Sequence, residues 1–279
     1  MKVRWAGIDR NGEAVDLRDL EADAETVLAA VMDPEDDRIV CRHPGPVVGR
    51  LGVLHRGMTV TVRTALATAL RTRRVETPVD HALARAEHAL ANVTVPSVEV
   101  ESARADLAEA SADEAALRER VARLGGRVEA LRDQGAEAAA TAAASELEAA
   151  IASLSEVETD RVAAEQRLAQ RRDEARRARD VRERRRRLAD RVDNRRRDAR
   201  DWLVETGHER FRAAVEAVPG PDEVGERPGS WDGPSWVAAL AILTIAASSG
   251  PAVLGADLGF ETADDARDVL EMPTILVEV

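Results

Sequence analysis

The sequence is poor in the residue types on which several classes of protein depend. Among its 279 residues there is no tyrosine, and Cys41 is the only cysteine. One cysteine excludes a disulfide scaffold and every zinc or iron–sulfur site that needs several cysteines. The longest largely apolar stretch, 236–247, has 12 residues, whereas a membrane-spanning helix needs about 20. Because the first residues also turn polar early, we expect a cytoplasmic protein with no signal peptide and no membrane contact.

Lysine and aromatic residues are also scarce. Of the 40 basic residues 39 are arginine, and the 52 acidic residues give a net charge of −12. An acidic composition with almost no lysine resembles the proteins of halophiles that accumulate salt, whose cytoplasm screens charge over about 3 Å. Since aromatic residues make up 2% of the chain, any core must be built from Ala, Val and Leu. Such a core suits long helices that pack through small side chains.

Composition divides the chain into three regions, 1–96, 97–217 and 218–279. The first and last contain short apolar runs that predict strands and helices, whereas the middle region has no proline and is dominated by Ala, Glu and Arg. The last region is too short to be a convincing domain alone. We therefore predict a mainly α protein, with a long antiparallel coiled-coil hairpin and a small α/β head assembled from the N- and C-terminal segments.

Local signals predict the elements of the two terminal regions. Asn11-Gly12, between the runs Val3–Ile8 and Glu13–Leu17, predicts a β-hairpin. A loop is expected around Pro219-Gly220-Pro221 and Arg227-Pro228-Gly229. The other predicted helices are 24–32, 64–74, 79–91, 234–247 and 262–270, the last with a cap at Thr262 and Asp265, and the other predicted strands are 38–42, 252–256 and 274–279.

The middle region has the periodicity of a coiled coil. Apolar residues recur at spacings of three and four from Val100 to Leu131, with Glu114 as the one charged misfit. A break at Asp133-Gln134-Gly135 precedes a second apolar stripe, so the two helices are predicted to form an antiparallel hairpin. The interface residues that we expect are Leu107, Leu117, Val121, Leu124, Val128 and Leu131 on the first helix and Leu147, Ile151 and Leu154 on the second.

Charge is unevenly distributed along this predicted hairpin. Residues 161–200 contain 17 arginines and eight acidic residues, a net charge of +9, and residues 98–160 contain 15 acidic residues and six arginines, a net charge of −9. The two stretches can pair with each other, within one chain or between chains. The alternative is binding to nucleic acid, against which the steep salt dependence and the lack of aromatic residues argue. The candidate nucleic-acid contacts are Arg184, Arg185, Arg186, Arg187, Arg195, Arg196 and Arg197.

Few residues suggest catalysis or metal binding. Cys41, His43 and His55 have side chains suited to zinc, but three ligands without a fourth favour a small buried cysteine instead. His208 is isolated, and the sequence contains no Gly-x-Ser-x-Gly, His-Glu-x-x-His or dinucleotide-binding glycine pattern. We therefore expect no catalytic residue, no metal and no cofactor. The protein is expected to act by binding a protein partner or a second copy of itself.

The order of the three regions resembles the SMC/Rad50-type ATPases, in which a helical hairpin joins the two parts of a split head. After the strand 38–42, where that family has its phosphate-binding loop, the chain reads His43-Pro44-Gly45-Pro46-Val47-Val48-Gly49-Arg50-Leu51. The two prolines lack N–H donors, and Arg50 replaces the lysine. Asp257 matches the family's strand-end acid, but Leu258 stands in place of its catalytic glutamate. The resemblance implies a degenerate nucleotide-binding head that has lost ATP hydrolysis.

Overall fold

The computed structural model of the protein describes residues 1–220 and 228–279, and this part of the chain is mainly helical. Its helices are α1 (Ala24–Met32), α2 (Gly45–Leu51), α3 (Val62–Thr72), α4 (Asp80–Ala91), α5 (Glu101–Asp133), α6 (Glu137–Thr206), α7 (His208–Ala217), α8 (Ser235–Ile245) and α9 (Ala263–Leu270). Its strands are β1 (Lys2–Trp5), β2 (Ile8–Asn11), β3 (Ala14–Asp16), β4 (Ile39–Val40), β5 (Ala252–Gly255) and β6 (Thr274–Val277). Residues 221–227, which include part of the loop expected from its prolines, lie outside the described residues.

The chain forms two compact units. The head consists of Met1–Arg85 and Val192–Val279, and the arm consists of Ala86–Arg191. These bounds differ from the bounds at 97 and 217 that composition suggested. The last part of α6 and all of α7 belong to the head, where Leu203 and Phe211 are buried in its main hydrophobic cluster. The proline-free composition therefore marks the extent of the long helices and not the extent of the arm.

A parallel sheet of three strands joins the two ends of the chain in the head. β6 lies between β3 and β5. Successive residues of a strand point to opposite faces of a sheet. Leu254 and Leu276 accordingly pack in one hydrophobic cluster, and Val253 and Ile275 pack in another. Every residue of β5 and β6 is buried, as expected of a parallel sheet that is covered on both faces.

Helix α8 lies at the centre of the larger hydrophobic cluster. Nine of its 11 residues are buried, in agreement with its almost unbroken apolar sequence. It packs against α3 and α7 and also contacts α2 and α9. At its end, Arg73 donates a hydrogen bond to the Ile245 carbonyl, and the Ala247 N–H donates to the Thr72 hydroxyl at 2.9 Å. The first bond supplies a partner for a carbonyl that the end of the helix leaves unpaired, and the second joins the segment after α8 to the end of α3.

The second sheet corrects one prediction. β1 pairs antiparallel with β2 and with β4, and the turn between β1 and β2 falls at Ala6-Gly7, where φ is 49° and 79°. Two consecutive positive φ angles are typical of a tight hairpin turn. The hairpin predicted at Asn11-Gly12 is therefore wrong. The run that follows this pair forms β3, whose partner is β6 at the other end of the chain, and this tertiary pairing overrides the local turn preference.

The remaining element predictions are confirmed where local signals are strong. α1 has the predicted bounds, and its N-cap Asp23 accepts a hydrogen bond from the Thr26 N–H. α9 begins with the predicted capping box, in which Thr262 and Asp265 bond to each other's backbone N–H. Gly135, with a φ of 68°, lies in the break between α5 and α6. A residue without a Cβ adopts this left-handed conformation at little cost.

Asp80 connects the start of α4 to the end of α3. Its carboxylate accepts hydrogen bonds from the Arg71 guanidinium at 2.5 and 2.7 Å and from the N–H and hydroxyl of Thr77 at 2.6 and 2.8 Å. These bonds, the one from the Arg71 side chain above all, favour the charged carboxylate and hold the pKa of Asp80 far below its usual value.

We expect Asp80→Asn to lower the free energy of unfolding by about 1–3 kcal/mol near neutral pH, because it removes charge-assisted hydrogen bonds. Since the pKa of Asp80 is lower in the folded state, its stabilisation is complete above the unfolded pKa of about 4 and is lost as the pH falls toward the folded pKa. Urea unfolding should therefore show a difference between variant and parent that shrinks by about 1 kcal/mol at about pH 3. Asp37→Asn, at a carboxylate that is 86% exposed, is the control. An Asp80 effect that does not change with pH would contradict this account.

Candidate functional site

Ion pairs join α5 to α6 in the arm. They link Asp106 to Arg167, Glu114 to Arg161, Arg118 to Glu158 and Arg127 to Glu146, at nitrogen–oxygen distances of 3.8, 2.6, 3.1 and 3.8 Å. Residues later in α5 pair with residues earlier in α6, so the paired lengths of the two helices run in opposite directions. The arm therefore contains a long helical hairpin whose turn is at Gly135.

Glu114 is the buried member of these pairs. It is 5% exposed, and its two carboxylate oxygens lie 2.5 Å from Arg118 and 2.6 Å from Arg161. A buried carboxylate is costly unless it is paired. Arg161 belongs to the other helix. A different alignment of the two helices would therefore remove this partner from the buried Glu114 carboxylate. The residue that interrupts the apolar spacing of α5 therefore specifies how the two helices align.

The residues expected at the helix interface differ in burial. On α5, Leu124 and Val128 are buried, and Leu107, Leu117, Val121 and Leu131 are half-buried. On α6, Leu147 and Leu154 are half-buried. Ile151 is 49% exposed, and its neighbour Ala150 is buried. The structure therefore places Ile151 on the outer surface of the hairpin, because α6 turns small alanines inward along this length (Ala140, Ala143, Ala150 and Ala164).

Beyond its paired length, α6 carries a surplus of positive charge. We call residues 171–191 the arginine segment, which contains 11 arginines and five acidic residues, a net charge of +6. The ion pairs of this segment join residues three or four positions apart on the same helix, namely Arg171–Glu174, Arg176–Asp173, Arg186–Glu183 and Arg187–Glu183. Within the described chain, seven exposed arginines of the segment form no ion pair: Arg172, Arg177, Arg179, Arg182, Arg184, Arg185 and Arg191.

Glu183 is shared by two arginines of the arginine segment. It lies 2.7 Å from Arg186 and accepts a hydrogen bond from Arg187 at 3.1 Å. Partial desolvation raises the pKa of Glu183, but the hydrogen bond from Arg187 and the positive charge of Arg186 outweigh it and bring the pKa below its usual value. Two of the four consecutive arginines therefore share one carboxylate, and the other two have none among the described residues.

The arginines proposed as nucleic-acid contacts are divided between the two units. Arg184–Arg187 belong to the arm, whereas Arg195–Arg197 belong to the head. Arg195 pairs with Asp198 at 3.2 Å, and Arg197 donates a hydrogen bond to Asn194 at 3.1 Å. Arg196 borders a groove of about 290 Å³ between α3 and the last part of α6. The cluster of the head thus has local partners that Arg184 and Arg185 do not have.

Comparison with known proteins gives the family and no activity. The model of a family of unknown function, DUF7856, matches residues 12–274. The chain belongs to this family. No curated protein and no solved structure matches it. Among the described helices, none combines the length and the apolar character needed to cross a membrane.

Two of the residues considered for metal binding, Cys41 and His43, have other partners. The Cys41 thiol is half-buried and lies 3.9 Å from the Val31 carbonyl, to which it donates a weak hydrogen bond. Burial raises the pKa of this thiol. His43 accepts a hydrogen bond at Nδ1 from the Gly45 N–H at 3.0 Å. In residues 1–220 and 228–279, no group of three or more His, Cys, Asp or Glu side chains is placed to hold a metal ion.

The loop compared with a phosphate-binding loop follows β4, which belongs to the antiparallel sheet. A phosphate loop of the α/β type instead leaves a strand of a parallel sheet and leads into a helix. Asp257 does follow the parallel strand β5, but its carboxylate accepts a hydrogen bond from the Arg56 N–H at 2.8 Å. The Arg56 guanidinium donates to the Asp257 carbonyl at 2.6 Å and lies over the ring of Trp236. Asp257, the residue compared with the family's strand-end acid, therefore has a structural partner, Arg56, in the head.

A polar cleft in the head was not anticipated from the sequence. It has a volume of about 480 Å³, and its lining includes Arg63, Asp201, Glu205, His208 and Ser230. Arg63 and Asp201 form an ion pair at 2.6 Å. These residues come from segments far apart in the chain, so no local spacing connects them, and His208 is isolated in the sequence.

We expect Arg161→Met to lower the free energy of unfolding by about 1–3 kcal/mol, because it leaves Glu114 buried with one guanidinium instead of two. Arg167→Met is the matched control, since it removes a 3.8 Å pair between side chains that are 60% and 54% exposed; such a pair contributes about 0–1 kcal/mol. Urea unfolding followed by circular dichroism measures both effects. If both variants lose the same stability, the buried pair does not have the role assigned to it.

Proposed function

We propose that the protein is a non-enzymatic assembly protein and that its arm is an antiparallel coiled coil that binds a protein partner or a second copy of the chain. The alignment of the interhelical ion pairs, which shifts by no more than three residues along the paired length, carries the proposal. Between Asp106 and Arg127 the chain advances 21 residues on α5, and the paired residues retreat 21 positions on α6, from Arg167 to Glu146. A pairing that stays in step over about 30 Å of helix is typical of a rigid coiled coil.

Support for an assembly role also comes from the surfaces of the arm. A coiled coil of this length presents a long exposed surface and has its apolar residues turned toward its own seam. A partner could then distinguish one part of that surface from another by its charge and by a few exposed apolar residues. We also place the protein in the cytoplasm of a halophile, where long-range charge effects are screened and short arginine–carboxylate contacts persist.

Cysteine cross-linking tests the hairpin and its register. Val121 and Leu154 are each seven residues from the Glu114–Arg161 pair, in opposite directions along the chain. In a Cys41→Ser background we expect Val121→Cys combined with Leu154→Cys to form an intrachain disulfide under mild oxidation, since facing seam positions bring Cβ atoms close enough. Non-reducing electrophoresis and intact mass measure the yield.

The control pair is Val121→Cys with Val162→Cys. It lies eight residues off the register, a displacement of about 12 Å along the helix, and Val162 is 44% exposed. We expect little intrachain disulfide from it. Equal yields from the two pairs, or disulfides between chains only, would refute the coiled-coil arm and with it the proposed function.

A second candidate function is binding to nucleic acid through the arginine segment. Its seven arginines without ion pairs favour this function, because phosphate contacts supply most of the non-specific affinity for nucleic acids. However, the chain has no aromatic residue between Trp5 and Trp202, and aromatic rings are what stack on the bases of single strands. Phosphate contacts alone lose affinity steeply as salt rises, so this candidate is the weaker one in a salt-rich cytoplasm.

Fluorescence anisotropy with labelled duplex DNA and with RNA separates the two candidates. We expect weak binding at about 0.15 M KCl and none at about 2 M KCl, because such contacts are lost with rising salt. The variant in which Arg184–Arg187 are changed to Gln tests the segment, and the matched control changes Arg104, Arg120, Arg123 and Arg132 to Gln. Binding that persists at the higher salt and is lost in the first variant alone would replace the assembly function with a nucleic-acid function.

A further inference from the structure

We propose that the arms of two copies of this chain pair side by side in opposite directions, so that the arginine segment of each copy lies against the acidic part of the other. The acidic part is residues 101–170, which contain 15 acidic residues and eight arginines, a net charge of −7. The arginine segment carries +6. This inference rests on the proposed assembly function and names its partner.

The two parts cannot neutralise each other within one chain. α6 is one continuous helix from Glu137 to Thr206, so the arginine segment cannot fold back onto the hairpin that precedes it. Within the described residues, eight exposed carboxylates of the acidic part form no ion pair, against seven such arginines in the segment. These carboxylates are Glu109, Asp113, Glu129, Asp133, Glu137, Glu148, Glu156 and Asp160.

The dimensions of the two parts allow them to lie alongside each other. The 21 residues of the arginine segment extend about 30 Å, and the 33 residues of α5 extend about 50 Å. In a two-fold pair each copy offers the same surface, so the basic–acidic contact occurs twice and the assembly closes as a dimer. A pair of arms running in the same direction would instead place the two arginine segments against each other.

Exposed apolar residues mark one side of the acidic part. Ile151 and Val162 are 49% and 44% exposed. They are 11 residues apart, about three helical turns, and so lie on the same side of α6. Their burial in the dimer would supply attraction that salt does not screen, whereas long-range attraction between charges is lost at high salt. The dimer interface would therefore combine apolar contacts, whose contribution to binding does not depend on salt, with ion pairs between groups in direct contact.

This pattern favours a second copy over nucleic acid as the partner. A nucleic acid would meet the arginine segment but would be repelled by the acidic part next to it on the same arm. It would also leave Ile151 and Val162 exposed. A second copy accounts for the unpaired arginines, the unpaired carboxylates and the two exposed apolar residues together.

Complementary charge reversal tests the dimer. One variant carries Arg179→Glu, Arg184→Glu and Arg185→Glu, and the other carries Glu148→Arg, Glu156→Arg and Asp160→Arg. Light scattering of the full chain at about 0.2 M and about 2 M KCl should give twice the chain mass of 30.2 kDa. Each variant alone should weaken the dimer by about 100-fold or more, because like charges then face each other in both contacts. Mixing the two variants should restore it, since opposite charges face each other again.

The matched control for net charge carries Arg120→Glu, Arg123→Glu and Arg132→Glu. It makes the same change in net charge as the first variant but adds acid to the acidic part, so its dimer should be as strong as the parent's or stronger. Circular dichroism should show equal helix content in every variant. Equal dissociation of this control, no recovery in the mixture, or a dimer that nuclease treatment abolishes would overturn the inference.

A further outcome separates this inference from the proposed function. A monomeric parent chain in which Val121→Cys and Leu154→Cys still cross-link within the chain would refute self-pairing and leave the coiled-coil assembly function standing. If the cysteine pair fails to cross-link, the proposed function itself fails.

Discussion

The buried pair between Glu114 and Arg161 is the interaction on which the rest of the arm depends. A seam of leucine, valine and alanine tolerates a shift by one heptad, because each register buries side chains of similar size. Such a shift would take Arg161 away from Glu114 and leave a buried carboxylate short of a partner, which costs far more than the loss of a few methyl contacts. With the register fixed, the last interhelical pair is Asp106–Arg167 among the described residues, and α6 continues past it. The unpaired charge of the arginine segment is therefore a consequence of the register.

The head adds a constraint that comes from the order of the chain. Its parallel sheet places β6 between β3 and β5, so one domain is made from two segments that the whole arm separates in sequence. An antiparallel hairpin suits such an insertion, because its first and last residues lie at the same end. Closing the sheet over so long a loop costs conformational entropy, and the buried strands and α8 offset this cost by removing a large apolar surface from water.

The sequence predicts the parts of this structure that local chemistry determines. The bounds of α1, the cap of α9 and the break at Gly135 each depend on residues a few positions apart, and the structure contains each of them. The hairpin predicted at Asn11-Gly12 is wrong because the partner of β3 is distant in the chain. Hydrophobicity alone predicts Ile151 at the helix interface in place of its neighbour Ala150. In the structure α6 turns alanines toward α5, so Ala150 is buried and Ile151 is exposed. Charge counts along the sequence show one acidic and one basic stretch. The residue at which the ion pairs between the helices end depends on the register and on the unequal lengths of α5 and α6, which the counts do not give.

Salt changes which features of this charge distribution matter. At molar salt the net charge of the chain acts over about 3 Å, so attraction between whole surfaces is weak, and groups that touch contribute most. Arginine suits such conditions, because its planar guanidinium binds carboxylates through two parallel hydrogen bonds and is less strongly hydrated than an ammonium group. Recognition then depends on whether guanidinium and carboxylate positions coincide along the two surfaces, and the total charge of either surface has little effect. The proposed self-pairing therefore depends on where the unpaired arginines and carboxylates lie along the arm, and the strongly negative net charge of the chain does not oppose it.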